Sequence, residues 1–187
     1  LKKIKNITFH KSFIENVRIK KNSMDFGYCL GVLHHIPDTQ KAIDKCVELL
    51  KPNSPFLAYI YYSLDNRPYW LKIIWQLSNI LRFVISKLPR ILKNVVSDLI
   101  AIFVYMPMGR SYRLLKMFNI KLKNFPLSFY SDLSFYTIRT DSRDRFGTPL
   151  EKRFSRKEIS TMMKKAGLKR IKFLNNSPYW VVVGIKK

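Results

Sequence analysis

The stretch Met24-Asp25-Phe26-Gly27-Tyr28-Cys29-Leu30-Gly31-Val32-Leu33-His34-His35-Ile36-Pro37-Asp38 decides the fold, together with the run that follows it to Glu48-Leu49-Leu50-Lys51-Pro52. A short half-apolar run, Phe26 to Leu30, stops at a glycine and crosses a tight His-His-Ile-Pro loop. Asp38 then offers a carboxylate to cap the next helix. Ala42, Ile43, Cys46, Val47 and Leu50 recur at helical spacing on one face, and Lys51-Pro52 closes the unit. A second strand, Pro55 to Tyr62, follows at once. Strand, loop, helix and strand of these lengths make a right-handed crossover in a parallel sheet. In such sheets ligands sit beyond the carboxyl ends of the strands, which is where Gly31 to Asp38 falls.

An acidic residue before a strand, then Gly-Val-Leu-His-His-Ile-Pro-Asp, then Leu-Leu-Lys-Pro, resembles the S-adenosylmethionine-dependent methyltransferases of the Rossmann-like class. The match is to their fourth strand, the loop after it, the next helix and the fifth strand. The resemblance implies that Ile4 to Phe9 is the third strand and that the Gly-rich half of the fold lies upstream of Leu1. No Gly-x-Gly-x-Gly follows a strand here, and all six glycines are scattered. The expected fold is therefore α/β, the carboxyl-terminal part of such a sheet, with residues 1–187 forming a partial domain.

Composition narrows the alternatives. A chain of 187 residues with 47% hydrophobic content suits one globular domain. The start carries charge but no apolar core of a signal peptide, and Cys29 and Cys46 read as buried reduced thiols, so the expected compartment is the cytoplasm. The net charge of +23 draws a protein toward phosphates on nucleic acid or anionic lipid. The basic residues are spread along the chain, which favours a solvated basic surface over a dedicated nucleic-acid site. A non-catalytic basic module on nucleic acid or an anionic membrane is the competing reading.

From Asn66 the character changes. Trp70, Ile73, Ile74, Leu77, Leu81 and Val84 recur at three and four, and Pro89 ends that helix. A second apolar run, Ile91 to Met106, is interrupted by Asp98, and Gly109 to Phe118 suits a third helix. Residues 66–118 read as an inserted helical lid. Its longest clean apolar stretch, Leu99 to Met108, is shorter than the ~20 residues of a spanning helix, while a peripheral membrane contact fits its mixture of Trp, Phe, Leu, Lys and Arg. Asn119 to Pro149 reads as aromatic-rich loop. Ser155 and Glu158 form a capping box, Gly167 stops the helix, and two strands, Leu168 to Leu174 and Tyr179 to Ile185, close the chain as an antiparallel hairpin. The resembled class ends in the same way.

The resemblance implies S-adenosylmethionine as cofactor and a small-molecule acceptor, with no metal required. It places Ser12, Phe13 and Ile14 beside the adenine and Cys29, Leu30 and Gly31 beside the methionine part. Phe13 stands where the class commonly has an acidic residue, and suits packing on the adenine face. His34 and His35 are the candidate catalytic bases, since imidazole exchanges protons near neutral pH and both lie at the expected mouth of the site. His10, Tyr130, Tyr136, Arg139 and Asp141 are secondary candidates. The apolar insertion suits a lipophilic or aromatic acceptor.

Overall fold

The computed structural model describes residues 6–65, 67–120, 122–174 and 180–187. The chain forms two compact units, one made of residues 1–63 and 152–187, the other of residues 64–151. The first carries a four-stranded sheet of β1 (Gly27–Leu30), β2 (Pro55–Ile60), β3 (Leu168–Phe173) and β4 (Trp180–Lys186), in the order β1-β2-β4-β3. β1 and β2 are parallel, with Gly27 opposite Phe56 and Leu30 opposite Tyr59. β4 enters antiparallel between β2 and β3, so Ala58 faces Val182 and Leu168 faces Lys186. This is the α/β, Rossmann-like arrangement expected, with the terminal antiparallel hairpin in place. The Asn175–Pro178 connection lies outside the described residues.

Between the parallel strands runs α1 (Thr39–Leu49). Asp38 caps it by accepting from the Lys41 amide at 2.9 Å. Ala42, Ile43, Val47 and Leu50 are buried, while Lys41 and Asp44 on the other side are exposed. On the same core sits α6 (Arg156–Lys165), which starts with the complete Ser155–Glu158 capping box and stops at Gly167, whose φ is +86°. Phe56, Ala58 and Ile60 from β2 meet Ile159 and Met163 from α6 and Val182 from β4. The close approach is written at Gly184, where a Cβ would lie 3.1 Å from both Leu168 and Met163. The hairpin register shifts between Lys169 and Lys172, with Arg170 at φ +50°.

One expectation fails here. Ile4 and Lys5 lie outside the described residues, but Asn6 to Phe9 form no strand. Their alternating apolar pattern suggested one, yet Phe9 is 90% exposed and nothing buries that side of the run. A period of two forms a strand only where a neighbour pairs it and a core takes one face.

The second unit holds α2 (Tyr69–Ile85), α3 (Arg90–Ile100), α4 (Met106–Met117) and α5 (Phe135–Gly147). It reaches Glu151, well past the 118 expected from the sequence. A π turn, Ala101–Tyr105, joins α3 to α4, so the helical run continues from Arg90 to Met117. Pro107 lacks an amide donor, and at the first turn of α4 its ring meets a widened turn, which lets the helix continue past it. The run is thus one helix of 28 residues, within which an 18-residue stretch has mean hydropathy 1.5, long and apolar enough by length and composition to cross a membrane. The short clean stretch read from the sequence understated it.

The segment read as loop between Asn119 and Pro149 contains α5, capped by Ser134 accepting from the Thr137 amide. Its Ile138 and Phe146 join Ile85, Ala101 and Tyr105 in a small core. Polar ties complete that packing. The Ser142 hydroxyl donates to the Ser97 carbonyl at 2.7 Å, and Arg143 grips Asp98 through two bonds of 2.6 Å. Buried Arg82 donates to the carbonyls of Thr148 and Pro149 at 2.8 and 3.0 Å.

Candidate active site

The candidate site begins where β1 ends. Gly31 has a φ of +72°, a conformation that L side chains rarely adopt, and its amide donates to the Tyr59 carbonyl at 3.1 Å. A Cβ there would find only the Tyr59 ring, 3.9 Å away. The chain therefore turns off the parallel ladder with only the Tyr59 ring at contact distance. Leu30, Val32 and Tyr28 stand exposed next to it.

Behind Gly31 the chain makes a 3-10 turn, Leu33–His35, held from several sides. The Val32 and Leu33 amides point at the Cys29 sulfur. The Thr39 hydroxyl serves the Leu33 and Ile36 carbonyls at 3.2 and 3.3 Å, and the Lys152 amide donates to the His34 carbonyl at 2.9 Å. Cys29 thus faces inward and holds the turn, its thiol pushed up by burial. Burial, and Cys29 beside it, push the Cys46 thiol up to about 12. Neither sulfur is a nucleophile near neutral pH.

The two histidines are unlike each other. His34 is fully buried, stacked on Tyr61 with ring centres 3.8 Å apart. Its Nδ1 accepts from the Tyr61 amide at 3.4 Å, which leaves the proton on Nε2, and Nε2 has no hydrogen-bond partner among the described residues. Burial, with His35 and Arg153 adding positive charge nearby, lowers its pKa to about 3. An imidazole so weakly basic stays neutral and takes no proton from an acceptor at pH 7. His35 is only half-buried, with its ring tilted against His34 at 4.2 Å and edge-on to Tyr61 at 5.9 Å. Of the pair, it is the one with a base's access.

The residues placed beside the adenine lie on a different stretch. Phe13 is 82% exposed and precedes a 3-10 turn, Ile14–Asn16, while Ser12 lines a shallow groove with Phe9, His10, Lys11, Asn16 and Arg18. Ile14 packs on the core cluster and, with Met24, Gly27 and Cys46, lines a cleft toward the start of β1. For an adenosyl ligand the residues fit one wall, an open cradle at Gly31 with apolar Leu30 and Val32 beside it. Of the secondary candidates, His10 lies in the first unit and Tyr130, Tyr136, Arg139 and Asp141 in the second. Asp141 is hydrogen-bonded by Tyr130, and burial raises its carboxyl pKa. Tyr136 is exposed beneath the Arg139 guanidinium.

Residues 1–58 match the sequence model of a methyltransferase domain. No curated protein matches the chain at a significant level. Among solved structures, it is similar in fold to a Thermotoga maritima S-adenosylmethionine-dependent methyltransferase described as a possible histamine N-methyltransferase. That similarity has 14% identity and a TM-score of 0.45, over 94% of this chain and 62% of the other. A possible exported protein of Bordetella parapertussis gives 11% identity and a TM-score of 0.49, over 96% of this chain and 44% of the other. Human N-acetylserotonin methyltransferase, solved in complex with S-adenosylmethionine, gives 10% and 0.46, over 95% and 33%. The chain spans less than two thirds of the length of each of these three. The matched residues hold β1, the turn after it, α1 and the start of β2, the same stretch that carries the resemblance in residues 24–52.

Proposed function

We propose that the protein transfers a methyl group from S-adenosylmethionine to a small lipophilic or aromatic acceptor. The observation that supports this best is Gly31. It ends a parallel strand in a left-handed conformation with only the Tyr59 ring at contact distance, at the position where α/β sheets bind ligands, within the segment that matches a methyltransferase domain. The cofactor, when bound, supplies a sulfonium methyl group for in-line displacement. The chain's part is positional. Gly31 and Leu30 form one wall against the donor, and the rigidly tied 33–39 turn fixes that wall. His35 takes the acceptor's proton as the new bond forms, and the tilted ring of His34 against it orients His35. The lipophilic acceptor is read from the composition of residues 64–151. In support, Tyr28 and Leu30 of β1, and Phe26 just before it, are exposed, although parallel sheets ordinarily bury both faces.

The test separates binding from turnover in the native protein. His35→Ala should bind S-adenosylhomocysteine as the native protein does while turnover falls by about 10²–10⁴. Unchanged turnover would remove His35 from the chemistry.

A further inference from the structure

The second unit wears its helices inside out. Along α2, Ile73, Leu77, Ile80, Leu81 and Val84 form one continuous stripe at helical spacing, and every one of them is exposed. The opposite face of the same helix carries Ser78, Arg82 and Ile85, of which Arg82 and Ile85 are buried. α3 repeats the pattern. Ile91, Leu92, Val95 and Leu99 face outward, continued by Ile102 and Phe103 in the π turn, while Ser97 is buried and Asp98 is held by Arg143. Both helices pack on α5, and both turn their apolar stripes away from it. Ordinary surface helices do the reverse.

Charge says what covers these stripes. Between Asp65 and Asp132 the sequence holds a single carboxylate, Asp98, and that one is bound by Arg143. Lys72, Lys87 and Arg90 have no acidic partner among the described residues, and Lys87 lies over the exposed Phe83 ring at 3.7 Å. A second copy of a chain with net charge +23 brings like charge to this surface. A bilayer with anionic headgroups brings apolar chains for the stripes and phosphates for the cations.

We propose that α2 and α3 dock the protein onto the surface of an anionic lipid bilayer, with their apolar stripes entering the acyl boundary and Lys72, Lys87 and Arg90 among the headgroups. The helix Arg90–Met117, about 42 Å long at helical rise, lies along that surface. Its inward side is committed to the rest of the unit, through Lys93 on the Gly147 carbonyl at 3.1 Å and Arg110 on the Ser131 carbonyl at 2.8 Å. This docking does not depend on methyl transfer.

Cosedimentation with vesicles tests it. The native protein should partition onto phosphatidylcholine–phosphatidylserine vesicles and remain largely bound at molar salt. Two paired variants, Leu77→Gln with Ile80→Gln and Leu99→Gln with Phe103→Gln, leave the charge unchanged and alter only exposed side chains. Each should lose about tenfold in partitioning per residue replaced, with native circular dichroism. Equal binding by the variants, or full release of the native protein by salt, would show charge alone at work and overturn the proposal. So would self-association of the native protein abolished by the same variants, or resistance to alkaline extraction, which marks a spanning helix.

Discussion

Folding stability is expected to fall as the pH drops from about 6.5, and His34 is the reason. Its folded-state pKa is lowered to about 3 by burial against Tyr61, with His35 and Arg153 contributing like charge. The unfolded chain therefore binds a proton that the folded chain refuses. The stability held by neutral His34 is fully present above the unfolded value of 6.5 and is lost progressively as the pH falls toward 3. Across that window the loss is on the order of a few kcal/mol. Between 6.5 and 4.5 this effect stands apart from the ion-paired carboxylates, since Glu48, held down to about 2 by Lys21 and Lys45, starts from an unfolded value of 4.5. Urea unfolding of the native chain and of His34→Gln across that interval should give a clear slope for the first and a much flatter one for the second. Equal slopes would mean that another group carries the acid sensitivity.

Gly31→Val should cost the site more than it costs the fold. A φ of +72° strains any L side chain by about 1–2 kcal/mol, and a β-branched one most. The first added carbon meets only the Tyr59 ring at contact distance, so no clash drives unfolding. The strain is relieved by moving the chain at the wall where the methionine part is placed. A displacement of about 1 Å there costs about a hundredfold in turnover. Gly31→Asn, which tolerates the left-handed region, isolates the effect of filling the space. Activity assays should rank native above Gly31→Asn above Gly31→Val. A fully active Gly31→Val would move the cofactor wall elsewhere.

The sequence made the core of the sheet legible because three local signals agreed there. The Asp38 cap, the 3.6-residue spacing from Ala42 to Leu50 and the Lys51-Pro52 stop all specified one helix. The capping box at Ser155 did the same for α6. α5 stayed hidden because charged residues ring it. Its buried stripe is only Ile138, Ser142 and Phe146, too thin to stand out from Arg139, Asp141, Arg143, Asp144 and Arg145. The one available signal was Ser134 followed by thirteen residues without a proline, ending at Gly147. The run Arg90–Met117 was read as two helices, one interrupted by Asp98 and the next starting at Gly109, yet it is continuous, since Arg143 neutralises Asp98 and the π turn accommodates Pro107. At the site, adjacency in sequence gave His34 and His35 equal standing. Burial separates them, and burial belongs to Tyr61 and Arg153, which no pattern around the pair reveals.

The central claim, a methyl-donor site with one wall at Gly31, is met most directly by calorimetric titration of S-adenosylhomocysteine. It is run into the native protein and, separately, into Gly31→Val. A pocket binds through many simultaneous contacts, so displacing one wall removes much of that affinity. The expected result is binding on the order of micromolar by the native protein, weakened at least about tenfold in Gly31→Val. No binding by the native protein, or equal binding by Gly31→Val, would contradict the account.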